Sequence, residues 1–163
     1  MSSRAFAILS SLFLLTAHSL HAAPEWIWLQ KGSKGGEKVT FRYRFEAPQN
    51  THFATLQLTC DNGATALLNG KEVLKNPDWQ EPSTADVSKI IKPGETNEII
   101  VNASNQGGIA ALVARLTLKF PNGKESVIET SSKWEATPTG TDAWKPSVVI
   151  GKYGEGPWGY ALE

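Results

Sequence analysis

Apolar and polar residues alternate along much of this chain, with the period of two that is typical of half-buried β-strands. In residues 39–45 the apolar and aromatic side chains would share one face, opposite Thr40, Arg42 and Arg44. Residues 112–120 carry the longest alternation of this kind. No helical periodicity persists after residue 23, so the pattern predicts an all-β protein. The predicted strands are residues 25–29, 39–45, 53–60, 64–68, 71–74, 98–103, 112–120 and 125–130.

Turn sequences separate these strands, and three of them contain an Asn-Gly pair. Asn69-Gly70 lies between two apolar runs and predicts a two-residue β-hairpin, because a type I′ turn needs positive φ at both central residues. Pro121-Asn122-Gly123-Lys124 predicts a second hairpin, and Asp61-Asn62-Gly63 predicts a further turn. Residues 84–91 leave two interpretations open, namely a strand with a terminal turn or a single helical turn capped by Asp86.

The C-terminal segment, residues 134–163, is rich in Trp, Gly and Pro and shows no alternation. Long irregular segments with aromatic residues typically wrap a sandwich and cover its edges. We therefore predict two packed antiparallel sheets, a β-sandwich, with a core formed by residues 24–133 and a wrapping tail formed by residues 134–163.

The N-terminus has the pattern of a secretory signal peptide. Arg4 precedes an apolar run from Ala5 to Ala17, and small residues follow at Ala22 and Ala23. The apolar run is too short to span a bilayer. We predict a signal peptide in residues 1–22, a single mature domain in residues 23–163, and a periplasmic or extracellular location without a membrane partner. The alternative is a buried N-terminal helix.

Charge and cysteine content limit the classes of partner and site. The chain has 16 Lys and Arg against 16 Asp and Glu, and removal of the signal takes away only Arg4. A near-neutral domain lacks the basic surface that nucleic acid binding needs, so no nucleic acid partner is predicted. Cys60 is the single cysteine, so no internal disulfide can form. It continues the alternation of its strand and is interpreted as a buried small hydrophobic residue.

Catalytic chemistry has few candidate residues, and we predict that the protein is not an enzyme. After signal removal His52 is the only histidine, so neither a usual zinc site nor a Ser-His-Asp site with a choice of partners is available. A glycosidase would need two facing carboxylates, for which Asp61, Asp78 and Glu81 are the candidates. These residues lie in turns, where solvated carboxylates are the ordinary interpretation.

Strand direction predicts a cluster of polar loops at one end of the sandwich. If each strand runs the full height, the loops that follow residues 60, 74 and 103 share that end. They would combine the indole of one residue with short polar side chains. These residues are Trp79 with Asp61, Asn62, Asn105 and Gln106. An indole covers the apolar face of a pyranose, while amides and carboxylates pair with its hydroxyls. The alternative is that Trp79 only plugs the sandwich end, with Asp61 and Asn62 serving the turn.

Several phrases in the sequence resemble a known family of β-sandwich modules. They are Leu68-Asn69-Gly70-Lys71-Glu72-Val73, Asp86-Val87-Ser88, Lys92-Pro93-Gly94-Glu95 and Ile99–Val101. They resemble the galactose-binding-like jelly roll found as an accessory domain in family 2 β-galactosidases and family 78 α-rhamnosidases. Ser88 stands where these modules usually have Thr. The Trp- and Gly-rich tail is similar to the end of such modules in large secreted bacterial proteins.

The resemblance implies a galactose-binding-like jelly roll that stands alone as an accessory module. The predicted function is an exported, non-catalytic carbohydrate-binding module whose partner is a sugar or polysaccharide. The alternative is a structural or protein–protein interaction module that docks on another secreted protein through its aromatic tail or a sheet edge. Related modules often hold a structural Ca²⁺, but no ligand spacing assigns one here, so no cofactor is predicted.

Overall fold

The computed structural model describes residues 22–163, which form two antiparallel sheets. Residues 1–21 of the predicted signal peptide lie outside the described part. The twelve strands are β1 (Glu25–Trp28), β2 (Lys38–Glu46), β3 (Phe53–Asp61), β4 (Gly63–Leu68), β5 (Lys71–Asn76), β6 (Ser83–Asp86), β7 (Thr96–Ser104), β8 (Ala111–Lys119), β9 (Glu125–Glu129), β10 (Glu135–Pro138), β11 (Lys145–Pro146) and β12 (Val148–Lys152). In the described residues no helix is long and apolar enough to span a bilayer.

Sheet A has the strand order β12-β1-β8-β3-β6, and β9 also pairs with β8. Sheet B has the order β11-β10-β2-β7-β4-β5. The chain crosses between the sheets repeatedly, since β2 lies in sheet B, β3 in sheet A and β4 in sheet B again. The two sheets bury their facing sides against each other, so the predicted all-β, two-sheet antiparallel sandwich is confirmed.

Each of the eight predicted strands is present in the structure. In residues 84–91 the strand interpretation is the one observed, since β6 ends at Asp86 and a short turn follows. The Ile90 and Ile91 amides both donate to the Val87 carbonyl at 2.9 and 3.1 Å. The Ser88 hydroxyl and the Ser88 amide both donate to the Asp86 carboxylate, and these hydrogen bonds lower the pKa of Asp86.

The predicted hairpins are also confirmed. Asn69 and Gly70 have φ values of 51° and 79° and connect β4 to β5. Gly123, with φ of 76°, lies in the turn that connects β8 to β9. The third Asn-Gly pair, Asn62-Gly63, has a different role, because it joins β3 of sheet A to β4 of sheet B. This turn therefore lies at an end of the sandwich, between the two sheets.

The tail contributes more strand structure than the sequence pattern indicates. Strand β10 pairs with β2 at one edge of sheet B, and β12 pairs with β1 at one edge of sheet A. These strands have two to five residues and are bounded by Pro and Gly, so they are too short for an alternation to be visible. Residues 153–163 have no strand. Part of this last segment packs on the outer face of sheet A, which is the wrapping role predicted for the tail.

The main core lies between the sheets and is formed by their inward-facing apolar side chains. Its largest fully buried members are Trp28, Trp134, Phe41, Leu56 and Leu58. Cys60 is 0% exposed in this core, and burial raises the pKa of its thiol far above the ordinary value. The thiolate is the reactive form of cysteine, so both inaccessibility and protonation suppress its reactivity.

We expect the Cys60 thiol to be unreactive in the folded protein. Under mildly alkaline conditions a disulfide reagent should modify it only at the rate of global unfolding, while the guanidinium-denatured chain reacts at once. Labelling followed by mass spectrometry measures both rates. Rapid stoichiometric labelling of the native protein would contradict the burial of this residue.

Candidate functional site

Hydrogen bonds bring the three predicted loops together at one end of the sandwich. The Asn62 Oδ1 atom accepts from the Gln106 amide at 2.7 Å, and the Asn62 amide donates to the Ser104 carbonyl at 3.0 Å. The Thr59 hydroxyl, near the end of β3, donates to the Trp79 carbonyl at 2.8 Å. Loops that follow β3, β5 and β7 are therefore neighbours, as the strand directions indicate. The peptide bond between Asp61 and Asn62 is cis.

The loop that carries Trp79 is held by the buried side chain of Asn76, the last residue of β5. Asn76 is 1% exposed, and its Oδ1 atom accepts from the Cys60 amide at 3.0 Å. Its Nδ2 atom donates to three groups of the loop, which are Asp78 O at 3.0 Å, Glu81 O at 2.8 Å and Ser83 Oγ at 3.2 Å. The Asn76 side-chain amide thus connects β3 of sheet A to the Trp79 loop, and it fixes the loop backbone on both sides of Trp79.

Trp79 is half-buried at the margin of a second apolar cluster, on the outer face of sheet A. We call this the outer cluster, and it comprises Trp26, Ala111, Val113, Trp158 and Leu162. Asp61 contacts the same cluster, because its Oδ2 atom accepts from the Trp158 Nε1 atom at 3.0 Å. Trp79 and Asp61 therefore both lie at the outer cluster, and part of Trp79 remains exposed to solvent.

Asn62 and Gln106 line a groove on the sheet B side of the same end. The groove has a volume of about 380 Å³, within the range of small-molecule sites. Its other polar lining comes from Thr65, Lys75, Asn76, Asn102 and Ser104. Pro77 also lines the groove, and it lies two residues before Trp79. The groove therefore extends to the base of the Trp79 loop, while Trp79 and Asp61 lie on the sheet A side of the same end.

Asn105 requires a correction to the predicted site. Its side chain is 1% exposed. The Nδ2 atom donates to the carbonyls of Lys34 and Gly108 at 3.1 and 3.3 Å, and Oδ1 accepts from the Gly107 amide at 3.0 Å. These hydrogen bonds stabilise the loop after β7. The buried Asn105 side chain is therefore inaccessible to a ligand. The neighbouring Gln106 is exposed and lines the groove.

The acidic side chains of the loop end do not come together in a cluster of the usual metal-binding residue types. No group of three or more His, Cys, Asp and Glu side chains within residues 22–163 is arranged to hold a metal ion. Asp61, Asp78 and Glu81, the carboxylates considered for glycoside hydrolysis, belong to no such group. The Asp78 carboxylate instead accepts from the Gln80 amide at 2.9 Å within its own turn.

Two residues of this end were missed by sequence reasoning. Asn76 carries no motif that distinguishes it from other asparagines, and only its burial shows its role. Trp158 lies 97 residues after its partner Asp61, and no local pattern links them. The abundance of tryptophan in the tail was the one available signal that aromatic residues would be buried there.

Comparison with solved structures identifies the class of fold. The α-L-rhamnosidase of Streptomyces avermitilis, in complex with L-rhamnose, matches 85% of this chain with 28% identity and a TM-score of 0.76. The lectin of Pleurotus ostreatus matches 85% of the chain with 22% identity and a TM-score of 0.75, and it also matches in its complex with GalNAc. A family 78 rhamnosidase of Bacillus sp. GL1 matches 83% with 21% identity and a TM-score of 0.69.

These likenesses show that the chain has the galactose-binding-like β-sandwich fold of an accessory module. It spans 16% and 19% of the two rhamnosidases and 44% of the lectin, so it corresponds to a small part of each enzyme and less than half of the lectin. No protein-family model matches the chain. A comparison with curated protein sequences finds no match either.

Proposed function

We propose that this protein is an exported, non-catalytic carbohydrate-binding module, located in the periplasm or outside the cell. The observation that carries the proposal is the arrangement of the loop end, which holds the half-exposed Trp79 on its sheet A side and a groove lined by amides and hydroxyls on its sheet B side. The fold supports it, because the same sandwich is found in a lectin that binds GalNAc and in enzymes that act on rhamnosides. The predicted signal peptide supports export.

The chemistry of the site suits a sugar ring better than an apolar ligand. A pyranose has one face of C–H groups, which packs favourably on an indole, and a rim of hydroxyl groups. Asn62 and Gln106 provide amide donors and acceptors for that rim, and Asp61 provides a carboxylate oriented by Trp158. Asn105 contributes indirectly by shaping the loop. A binding role also agrees with the hydrogen bonds by which Asn76 holds the Trp79 loop. A loop that is already ordered loses less entropy when a ligand binds.

Replacement of Trp79 by alanine is expected to abolish sugar binding and to leave the fold intact. The stacking face is lost, and with it the large apolar area that the indole offers to a sugar ring. The measurement is retention of the protein from residue 23 onward on a panel of soluble and insoluble glycans, with circular dichroism to verify folding. Phe53→Ala serves as the control, because Phe53 is 38% exposed at the opposite end of β3.

Retention on some glycan that Trp79→Ala removes and Phe53→Ala preserves would support the proposed site. Equal retention of both variants would place the site elsewhere, and no retention on any glycan would overturn the proposed function.

The alternative, docking on another secreted protein through the aromatic tail, has less structural support. Trp158 is only 6% exposed, so its ring is used inside this molecule.

A further inference from the structure

The outer face of sheet B presents a row of polar side chains, of which the first three line the groove and the fourth lies beyond it. Strand register places Lys75 of β5 beside Thr65 of β4, Thr65 beside Asn102 of β7, and Asn102 beside Thr40 of β2. These residues point away from the core, since the alternate positions of the strands are buried. The Thr40 hydroxyl donates to Asn102 Oδ1 at 3.0 Å, which fixes the orientation of the exposed Asn102 amide.

A parallel row on the same face has two apolar residues followed by an arginine that contacts an aromatic ring. Leu67, Ile100 and Arg42 are neighbours in register, and each is half-buried. The Trp144 ring lies over the Arg42 guanidinium, with 4.0 Å between the guanidinium carbon and the ring centroid. The Arg42 guanidinium is held in turn by the Glu135 carboxylate at 2.8 Å. The indole is therefore fixed by a cation–π contact at the far side of the face from the groove.

The basic side chains along these two rows are neutralised by acidic neighbours. Arg42 pairs with Glu135, and Lys75 pairs with Glu72 at 3.2 Å. Two residues further along β2, on the same face, Arg44 pairs with Glu98 at 2.6 Å. A face with paired charges gives no excess attraction for a polyanion, whereas hydroxyl and amide groups beside apolar ones suit a neutral polyhydroxylated chain.

We propose that the outer face of sheet B is a binding surface for a neutral glycan chain several sugars long, which runs from the groove toward Trp144. This inference rests on the proposed function, because the groove end of the surface contains Asn62 and Gln106. The three strand steps from Lys75 to Arg42 span about 14 Å, which is longer than one sugar ring. Thr65, Asn102 and Thr40 pair with hydroxyls along the chain, and Trp144 stacks on its distal sugar.

The test compares ligand length in the wild-type protein and in two variants. Neutral oligosaccharides derived from galactomannan, arabinogalactan and xyloglucan, from monosaccharide to hexasaccharide, are titrated calorimetrically. We expect the wild type to bind a hexasaccharide of one series about tenfold more tightly than its monosaccharide, as one added stacking contact and hydrogen bond allow. Trp144→Ala should reduce this length-dependent gain to about threefold or less and leave monosaccharide affinity unchanged.

The second variant, Thr65→Val, keeps the shape of a β-branched side chain and removes only its hydroxyl. It should lower hexasaccharide affinity about threefold to tenfold, which is the value of one hydrogen bond. Monosaccharide binding without any gain for longer chains would overturn this inference and leave the proposed function standing. A gain that Trp144→Ala and Thr65→Val both preserve would also overturn it, because the chain then follows another path. Absence of binding to every series would overturn both proposals.

Discussion

Replacement of Asn76 by alanine is expected to lower the free energy of unfolding by about 3–5 kcal/mol, because it leaves several buried polar groups without partners. The Asn76 side chain is 1% exposed and bonds with groups on both β3 and the Trp79 loop. The alanine side chain is smaller than that of asparagine and makes none of these hydrogen bonds. The Cys60 amide and the Glu81 carbonyl would each lose the hydrogen bond to Asn76. Each buried polar group left without a partner costs about 1–3 kcal/mol.

The substitution should also impair the binding site before it unfolds the protein. The Trp79 loop keeps fewer of its attachments, so we expect faster hydrogen exchange in residues 77–82 and weaker glycan retention. Chemical denaturation measures the stability, and exchange mass spectrometry measures the loop. Asn50→Ala is the matched control, since Asn50 is exposed in the connection between β2 and β3. Equal unfolding midpoints for the two variants would mean that the Asn76 network contributes little.

The strands of this protein were predictable because most of them obey a period of two over five or more residues. The sequence of strand β8 alternates clearly, with Leu112, Leu116 and Leu118 on one face. The Asn69-Gly70 pair marks the hairpin between β4 and β5 through the requirement for positive φ. Strands β10 to β12 were not predictable in this way. They are short edge strands whose pairing with β2 and β1 depends on tertiary structure, and a segment of two to five residues carries no readable period.

The meeting of the three loops at one end was predictable, whereas the orientation of their side chains was not. Strand parity correctly brings the loops of Asn62, Trp79 and Gln106 to one end, because antiparallel strands reverse direction at each turn. It gives no information about which side chains turn inward. Asn105 and Gln106 are adjacent in sequence, yet the first is buried in a hydrogen-bond network and the second lines the groove. The pairing of Asp61 with Trp158 requires the course of the tail, which local patterns do not contain.

The outer cluster shows why the sandwich needs its tail. Trp26 is 0% exposed, and its indole Nε1 atom has no hydrogen-bond partner among the described residues. A buried N–H without a partner is unfavourable, so its burial must be offset by apolar contacts. Trp158 provides such contacts, since the two ring centroids are 4.9 Å apart. Without the tail, Trp26 and Val113 would form an exposed apolar patch on the outer face of sheet A.

Replacement of Trp158 by alanine is therefore expected to release residues 153–163 and to destabilise the protein by about 3 kcal/mol, near the lower end for loss of a buried tryptophan. The variant loses the contact with Trp26 and the hydrogen bond to Asp61. What remains to hold the segment on sheet A is the burial of Leu162 in the outer cluster, with Tyr153 and Ala161 packed against the same cluster. The core between the sheets is a separate cluster, so the sandwich itself should stay folded.

Limited trypsin digestion detects this release. Lys152 is exposed at the end of β12, and no Lys or Arg follows it, so one cut frees residues 153–163 as a single peptide. The wild type should resist cleavage while β12 stays paired with β1. Trp158→Ala should be cut at least about tenfold faster, because a tenfold rate corresponds to a decrease of about 1.4 kcal/mol in the free energy of local opening.

Trp158→Phe is the matched variant, because it keeps an aromatic ring on Trp26 and removes only the N–H that binds Asp61. It should remain nearly as resistant as the wild type but lose sugar affinity if Trp158 orients the Asp61 carboxylate. Equal cleavage rates for the wild type and Trp158→Ala would mean that the tail is anchored elsewhere.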